Sequence, residues 1–240
     1  MKELAKKMSP EKHLDENGFE AAFFDTHFLK YQRNRRLPHW EQDSVFYFIT
    51  FRLWDSIPSE ISKSIKHERE LWHKKNKIVS KNDFALLNFE KRNEYYRLFS
   101  KRIKDLLDSG FGLCFLDKPK TNMIVENALK HFDNERYILD SWVIMSNHVH
   151  VLVRLLGDWT LDSVTHSWKS FSKEINKALK RSGQVWMHES FDHIIRNLDQ
   201  LKKIRQYIKD NPIKFGKETA SETLTIQHNH LGCERTKRKL

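Results

Sequence analysis

Two short segments of this 240-residue chain carry the residue types that could do chemistry. In His148-Val149-His150-Val151-Leu152-Val153, strand geometry sends successive side chains to opposite faces, so both imidazoles share one face and the three valines the other. Two neutral imidazoles so placed can chelate one metal ion. The same spacing also serves surface or core histidines, and taken alone it fixes neither use. The second segment runs from Leu198 to about Asn211, where Leu201, Ile204 and Ile208 mark the buried stripe of a helix. At about 100° per residue, Tyr207 and Asn211 lie roughly 40° apart around the axis, one turn from each other on the edge of that stripe. They point the same way. An isolated Tyr-x-x-x-Asn-Pro is equally a core tyrosine and a helix-ending asparagine before Pro212.

The elements that must position these side chains follow from the hydrophobic pattern. Residues 44–53, SVFYFITFRL, are rich in β-branched and aromatic side chains and read as a strand. From Ser59 to about Leu107 the spacing is helical and charged, an expected insertion of two helices. Residues 111–116 form a short strand or buried turn, and 120–132 another helix. Residues 136–145 and 148–155 form a hairpin across Ser146-Asn147, where asparagine tolerates positive φ and bonds nearby backbone. Leu161, Val164, Trp168, Phe171, Ile175 and Ala178 fall on one stripe of a single helix from about Thr160, ended by Gly183. The last strand lies within 185–196, and Pro212 should stop the last helix. Glycine is scarce, at 7 residues, which disfavours a doubly wound nucleotide fold. The pattern predicts an α+β domain over 37–216, an antiparallel sheet with helices packed on one face, flanked by a basic arm (1–36) and a basic tail (217–240).

Lys and Arg number 43 against 32 Asp and Glu, a formal charge of +11 that favours a polyanionic partner, nucleic acid first. Aromatic residues at 12% support a packed interior. No apolar run reaches the roughly 18–20 residues of a membrane span, and the N-terminal residues lack a signal-peptide core. Cys114 and Cys233 stand far apart, in no metal or disulfide framework. A cytoplasmic setting without a membrane partner is expected.

The segments MSNHVHVLV, HSWKSFSKEIN, WMHESFDHIIRN and YIKDNPIKFG occur together and in this order. From about Leu37 to Gly216 the chain thereby resembles the single-tyrosine HUH transposases, most closely the REP-associated tyrosine transposases. The resemblance implies a ferredoxin- or RRM-like fold in which His148, His150 and Asn211 bind Mg²⁺ or Mn²⁺ and Tyr207 attacks DNA. The implied substrate is a palindromic repeat hairpin with a tetranucleotide beside it read as single strand, handled by a monomer or homodimer. Attack by Tyr207 would leave a 5′-phosphotyrosine and a 3′ hydroxyl, and because one phosphodiester replaces another, rejoining needs no ATP. Position near these motifs makes Arg35, Arg36, His39, Trp40, Lys169, Arg196 and Lys214 the expected DNA contacts, as phosphate binders and stacking platforms. Ser146 stands where the family usually has proline, and Ser190 and His193 where it has tyrosine and arginine. His193 and water are both open as the general base. The alternatives are a catalytically silent DNA-binding protein of the same fold and a replication or conjugation initiator. Such initiators often carry a second tyrosine, whereas Tyr207 stands alone in its helix. A histidine-triad hydrolase is excluded by Leu152, where a third histidine would be required.

Overall fold

The computed structural model describes residues 12–15, 18, 20–24, 31–34, 38–42, 44–80, 83–84, 86–214 and 227–228. Strands β1 (Lys12–Leu14) and β2 (Glu20–Ala22) pair with each other, as do β3 (Tyr31–Asn34) and β4 (Pro38–Glu41). Then come β5 (Phe46–Arg52), helix α1 (Ser59–Lys75), and α2 (Phe89–Tyr95), which runs through a π-helical stretch, Tyr96–Lys101, into α3 (Arg102–Asp108). After α4 (Pro119–Lys130), β6 (Tyr137–Ile144) and β7 (His148–Leu155) form the hairpin. Helices α5 (Leu161–Ser170) and α6 (Ser172–Ala178), strand β8 (Phe191–Ile194), helix α7 (Leu198–Lys214) and strand β9 (Gln227–His228) complete the order. The main sheet runs β8-β5-β7-β6-β9 with every pair antiparallel, the expected α+β arrangement.

Alternation along the strands divides the interior in two. Tyr47, Ile49, Phe51, Val149, Val151 and Val153 face α4, α5 and α6, joining Val125, Leu129, Val164, Trp168 and Ile175 in the larger core. Phe46, Phe48, Val143 and Leu152 face the other way and meet Leu201, Ile204, Tyr207 and Ile208 of α7. Helices therefore cover one face as the pattern suggested, and α7 lies across the second. The histidine face needs that cover because four of its neighbours are apolar. A bulge between Leu139 and Ser141 keeps Leu139 and Trp142 on the same side although they are three residues apart. The insertion forms a core of its own from Ile65, Trp72, Tyr95 and Phe99.

Several local expectations give way to tertiary context. The long helix expected from Thr160 breaks at Phe171 into α5 and α6, and it ends at Ala178, well before Gly183. Helix α7 continues through Pro212 to Lys214; in a last turn the missing N–H forfeits a single bond. Residues 115–117 form a 3₁₀ turn entered through Cys114 at φ 45°. Asn147 does not use positive φ. Within the expected arm, Ala21 and Ala22 are buried in the two cores, and β3 and β4 pair across its boundary at 36. No helix among the described residues is long and apolar enough to cross a membrane.

Candidate active site

Strand β7 sits between β5 and β6, with His148 opposite Arg52 and His150 opposite Thr50. Pairing on both edges fixes the strand, so its side chains can be aimed. The Nδ2 of Asn147 donates to the carbonyl of Phe111 (2.9 Å), which settles which end of the amide is oxygen. Its Oδ1 therefore accepts from Nδ1 of His148 (2.7 Å), leaving the Nε2 lone pair of a neutral ring free. Thr50 Oγ1 stands 2.7 Å from Nδ1 of His150. When the Thr50 hydroxyl accepts there, the second Nε2 is free as well. The two Nε2 atoms lie 3.1 Å apart.

Both rings are almost wholly buried. Burial pushes the His148 pKa down to about 3 and holds that of His150 well below its ordinary value, with the charges of His148 and Lys104 adding to the second effect. The imidazoles are therefore neutral donors at pH 7, with no proton to displace. Phe48 stacks on His150 (5.2 Å between centroids) and meets the Tyr207 ring edge-on (5.9 Å), so one side chain packs against both.

Helix α7 brings the other half. The Tyr207 hydroxyl reaches to 3.1 Å from His150 Nε2. Its pKa is raised, chiefly by burial, with the Asp108 carboxylate and the Tyr96 phenol pushing the same way and a hydrogen bond from Asn211 opposing them. Asn211 is fully buried; its Nδ2 donates to the Tyr207 carbonyl (3.2 Å), and its Oδ1 has no hydrogen-bond partner. A buried acceptor without a donor is costly. A cation beside two neutral imidazole nitrogens would satisfy it. Ligands about 2.1 Å from one metal and adjacent to each other are about 3.0 Å apart, the separation the two Nε2 atoms already have. The donor set fits a divalent cation. The helix itself is held by Arg205, whose buried guanidinium pairs with both oxygens of Asp140 on β6 and with Asp15 (2.8 Å).

Four of the expected residues, His148, His150, Tyr207 and Asn211, come from one hairpin and one helix onto the same side of the sheet. The expected DNA contacts fare differently. The Lys169 ammonium donates to the carbonyls of Met187 and His188 (both 3.0 Å) and to Ser190 Oγ (2.8 Å), fastening α5 to the segment before β8. Arg196 is exposed, its guanidinium 6.0 Å from the Phe24 ring centroid. Arg35 and Arg36 lie outside the described residues, as do the side chains of His39 and Trp40 on β4 and of Lys214 on α7. His193 bonds Gln200, and burial lowers its pKa.

The structure adds groups that the sequence did not single out. Thr50 and Asn147 orient the rings. From α3, Lys104 places its ammonium 4.0 Å from the Tyr207 ring centroid, and Asp108 Oδ1 lies 3.9 Å from His148 Nε2. A cleft of about 440 Å³ on the insertion is lined by Phe89, Asn93, Tyr96 and Arg97 among others, with Phe89 and Tyr96 exposed. The adjacency of Asn147 to His148 was visible in sequence; the rest depends on long-range pairing.

No protein-family model and no curated protein matches the chain. A solved structure described as that of the REP-associated tyrosine transposase bound to a REP hairpin is similar over 78% of this chain and 75% of that one, at 15% identity and a TM-score of 0.42. A likeness that low carries no weight for what this chain does.

Proposed function

We propose that this protein cleaves and rejoins single-stranded DNA by metal-assisted transesterification, with Tyr207 as the nucleophile. His148, His150 and Asn211 would hold Mg²⁺ or Mn²⁺. The observation that carries this reading is the convergence, within 3.1 Å steps, of the Tyr207 hydroxyl and the two Nε2 atoms, with Asn211, one helical turn past Tyr207, holding a buried carboxamide oxygen in need of a partner.

A buried phenol whose pKa is raised is a weak nucleophile, so the phosphate must be made more electrophilic. The bound cation would supply that as a Lewis acid toward a scissile phosphate oxygen. The chain's own residues do the rest. Phe48 and the His150 ring fix the plane of the phenol, and the Lys104 ammonium against its face favours the anion that forms as the proton leaves. The Tyr207 Oη–P bond forms as the P–O3′ bond breaks; one proton is released from the phenol and one is taken up by the 3′ oxygen. Rejoining runs the exchange backwards. Phe89 and Tyr96 offer faces on which unpaired bases can stack, with Arg97 beside them for a phosphate. The sequence resemblance makes repeat hairpins the substrate to try first.

Incubation with Mn²⁺ and a single-stranded oligonucleotide carrying a repeat hairpin should give a covalent protein–DNA adduct on a denaturing gel, absent from Tyr207→Phe. An adduct that persists in Tyr207→Phe would refute the nucleophile. A silent DNA-binding protein would show salt-sensitive binding and no adduct in the wild type.

A further inference from the structure

The donor set just described has one chemical oddity. Two imidazoles and a carboxamide bring no negative charge, whereas Mg²⁺ and Mn²⁺ favour oxygen ligands and are usually held through one or two carboxylates. Among the described residues, a carboxylate comes near from an unexpected source, the last residue of α3, at the end of the helical insertion. Asp108 Oδ1 lies 3.9 Å from His148 Nε2 and is largely buried. Two ligands of one metal at about 2.1 Å are separated by about 3.0 Å when adjacent and about 4.2 Å when opposite, so 3.9 Å falls inside the window. As they stand, no three His, Cys, Asp or Glu side chains among the described residues are drawn together as a metal cluster. Rotation about the two side-chain torsions of Asp108 would cover the difference, about 0.3 Å from the opposite arrangement or about 0.9 Å from the adjacent one.

The insertion is braced for such a role. Leu107 of α3 is buried, Arg102 bonds Glu68 of α1 (2.7 Å), and the loop after α3 is tied down on both sides. Leu113 N–H donates to Asp55 (2.9 Å), and the Phe111 carbonyl accepts from Asn147, the residue that orients His148. Gly112, at φ 93°, approaches Asp55 so closely that a Cβ would sit 2.7 Å from its carbonyl oxygen. The carboxylate and the first imidazole are thus held by one hydrogen-bonded loop.

We propose that Asp108 is the anionic ligand of the cation site, so that the helical insertion is part of the active site and selects a hard, oxygen-preferring cation. This rests on the reading of His148 and His150 as ligands. Asp108→Asn keeps the shape and removes the charge. In titrations of the whole chain with Mn²⁺ alone and with Zn²⁺ alone, followed by calorimetry, the wild type should bind one Mn²⁺. Asp108→Asn should lose about 10–100-fold in Mn²⁺ affinity and clearly less in Zn²⁺ affinity, since imidazole suits zinc; a merely structural role would lower both alike. Asp108→Glu should recover part of the Mn²⁺ affinity. Unchanged Mn²⁺ affinity in Asp108→Asn, or equal loss for both metals, overturns the proposal. If His148→Ala binds Mn²⁺ as the wild type does, the histidine reading itself fails, and the proposal with it.

Discussion

The two faces of β7 are made from alternate residues of one strand and are equally dry. Val149, Val151 and Val153 are fully buried on one side; His148, His150 and Leu152 are nearly so on the other. What differs is the obligation that burial creates. A valine contributes by leaving water, and close packing is all it asks of its neighbours. A buried imidazole must have its nitrogens satisfied, and here each Nδ1 is given a dedicated partner while the two Nε2 atoms face each other and that of His150 also faces the Tyr207 hydroxyl. Low exposure therefore does not separate core from site. The pattern of designated and shared nitrogen partners does.

Substitutions on the two faces should break that equality in opposite directions. Trp168→Ala empties a fully packed position stacked on Phe51 and bonded through Nε1 to the Tyr137 hydroxyl. It should cost about 3–5 kcal/mol in chemical denaturation, with Mn²⁺ affinity unchanged in the molecules that remain folded. Thr50→Val on the other face should do the reverse. With its acceptor gone, the His150 proton moves from Nδ1 to Nε2, so calorimetry should show Mn²⁺ affinity about 10–100-fold weaker, with a stability loss of about 1–3 kcal/mol for the orphaned Nδ1, smaller than that of Trp168→Ala. A metal affinity untouched by Thr50→Val would mean that the Thr50 contact does not set the tautomer.

Acid should then act on the histidine face alone. His148 and His150 resist protonation when folded, with His148 lowered from 6.5 to about 3, so below pH 6.5 the unfolded chain binds protons that the folded one refuses. Stability in metal-free buffer is complete above that pH and falls as the pH drops from 6.5 toward 3. One unit below 6.5 the loss from His148 is on the order of 1 kcal/mol, and His150 adds to it in the same direction. His148→Asn should flatten the dependence, and a slope identical to that of the wild type would show the ring to be titrating normally.

How much of this was legible in the sequence depends on the range of the forces involved. The alternation around His148 and His150 and the helical edge shared by Tyr207 and Asn211 are local periodicities, and they place these four candidate residues on the strand and the helix where the structure has them. Thr50 became meaningful only once β5 paired with β7 in a register that puts it across from His150, a hundred residues away. Asp108 and Lys104 looked like ordinary charges on a solvated helix, because nothing local says that the insertion turns back over the tyrosine. The break at Phe171 and the passage of α7 through Pro212 were missed for the converse reason: propensity was followed where packing decides. The hydrogen bonds that make Lys169 a strut between α5 and the segment before β8 are likewise invisible in local sequence.

The clamp on α7 has a consequence for how the molecule comes together. Arg205 lies half a turn from Tyr207, and one of the carboxylates it pairs with, Asp15, belongs to the segment between β1 and β2. A guanidinium out of water that loses a partner becomes a liability to the helix around it. The aim of Tyr207 is thus underwritten by residues from the far end of the chain, and a nick or deletion ahead of Ala21 would be felt as a misplaced phenol rather than as a missing appendage.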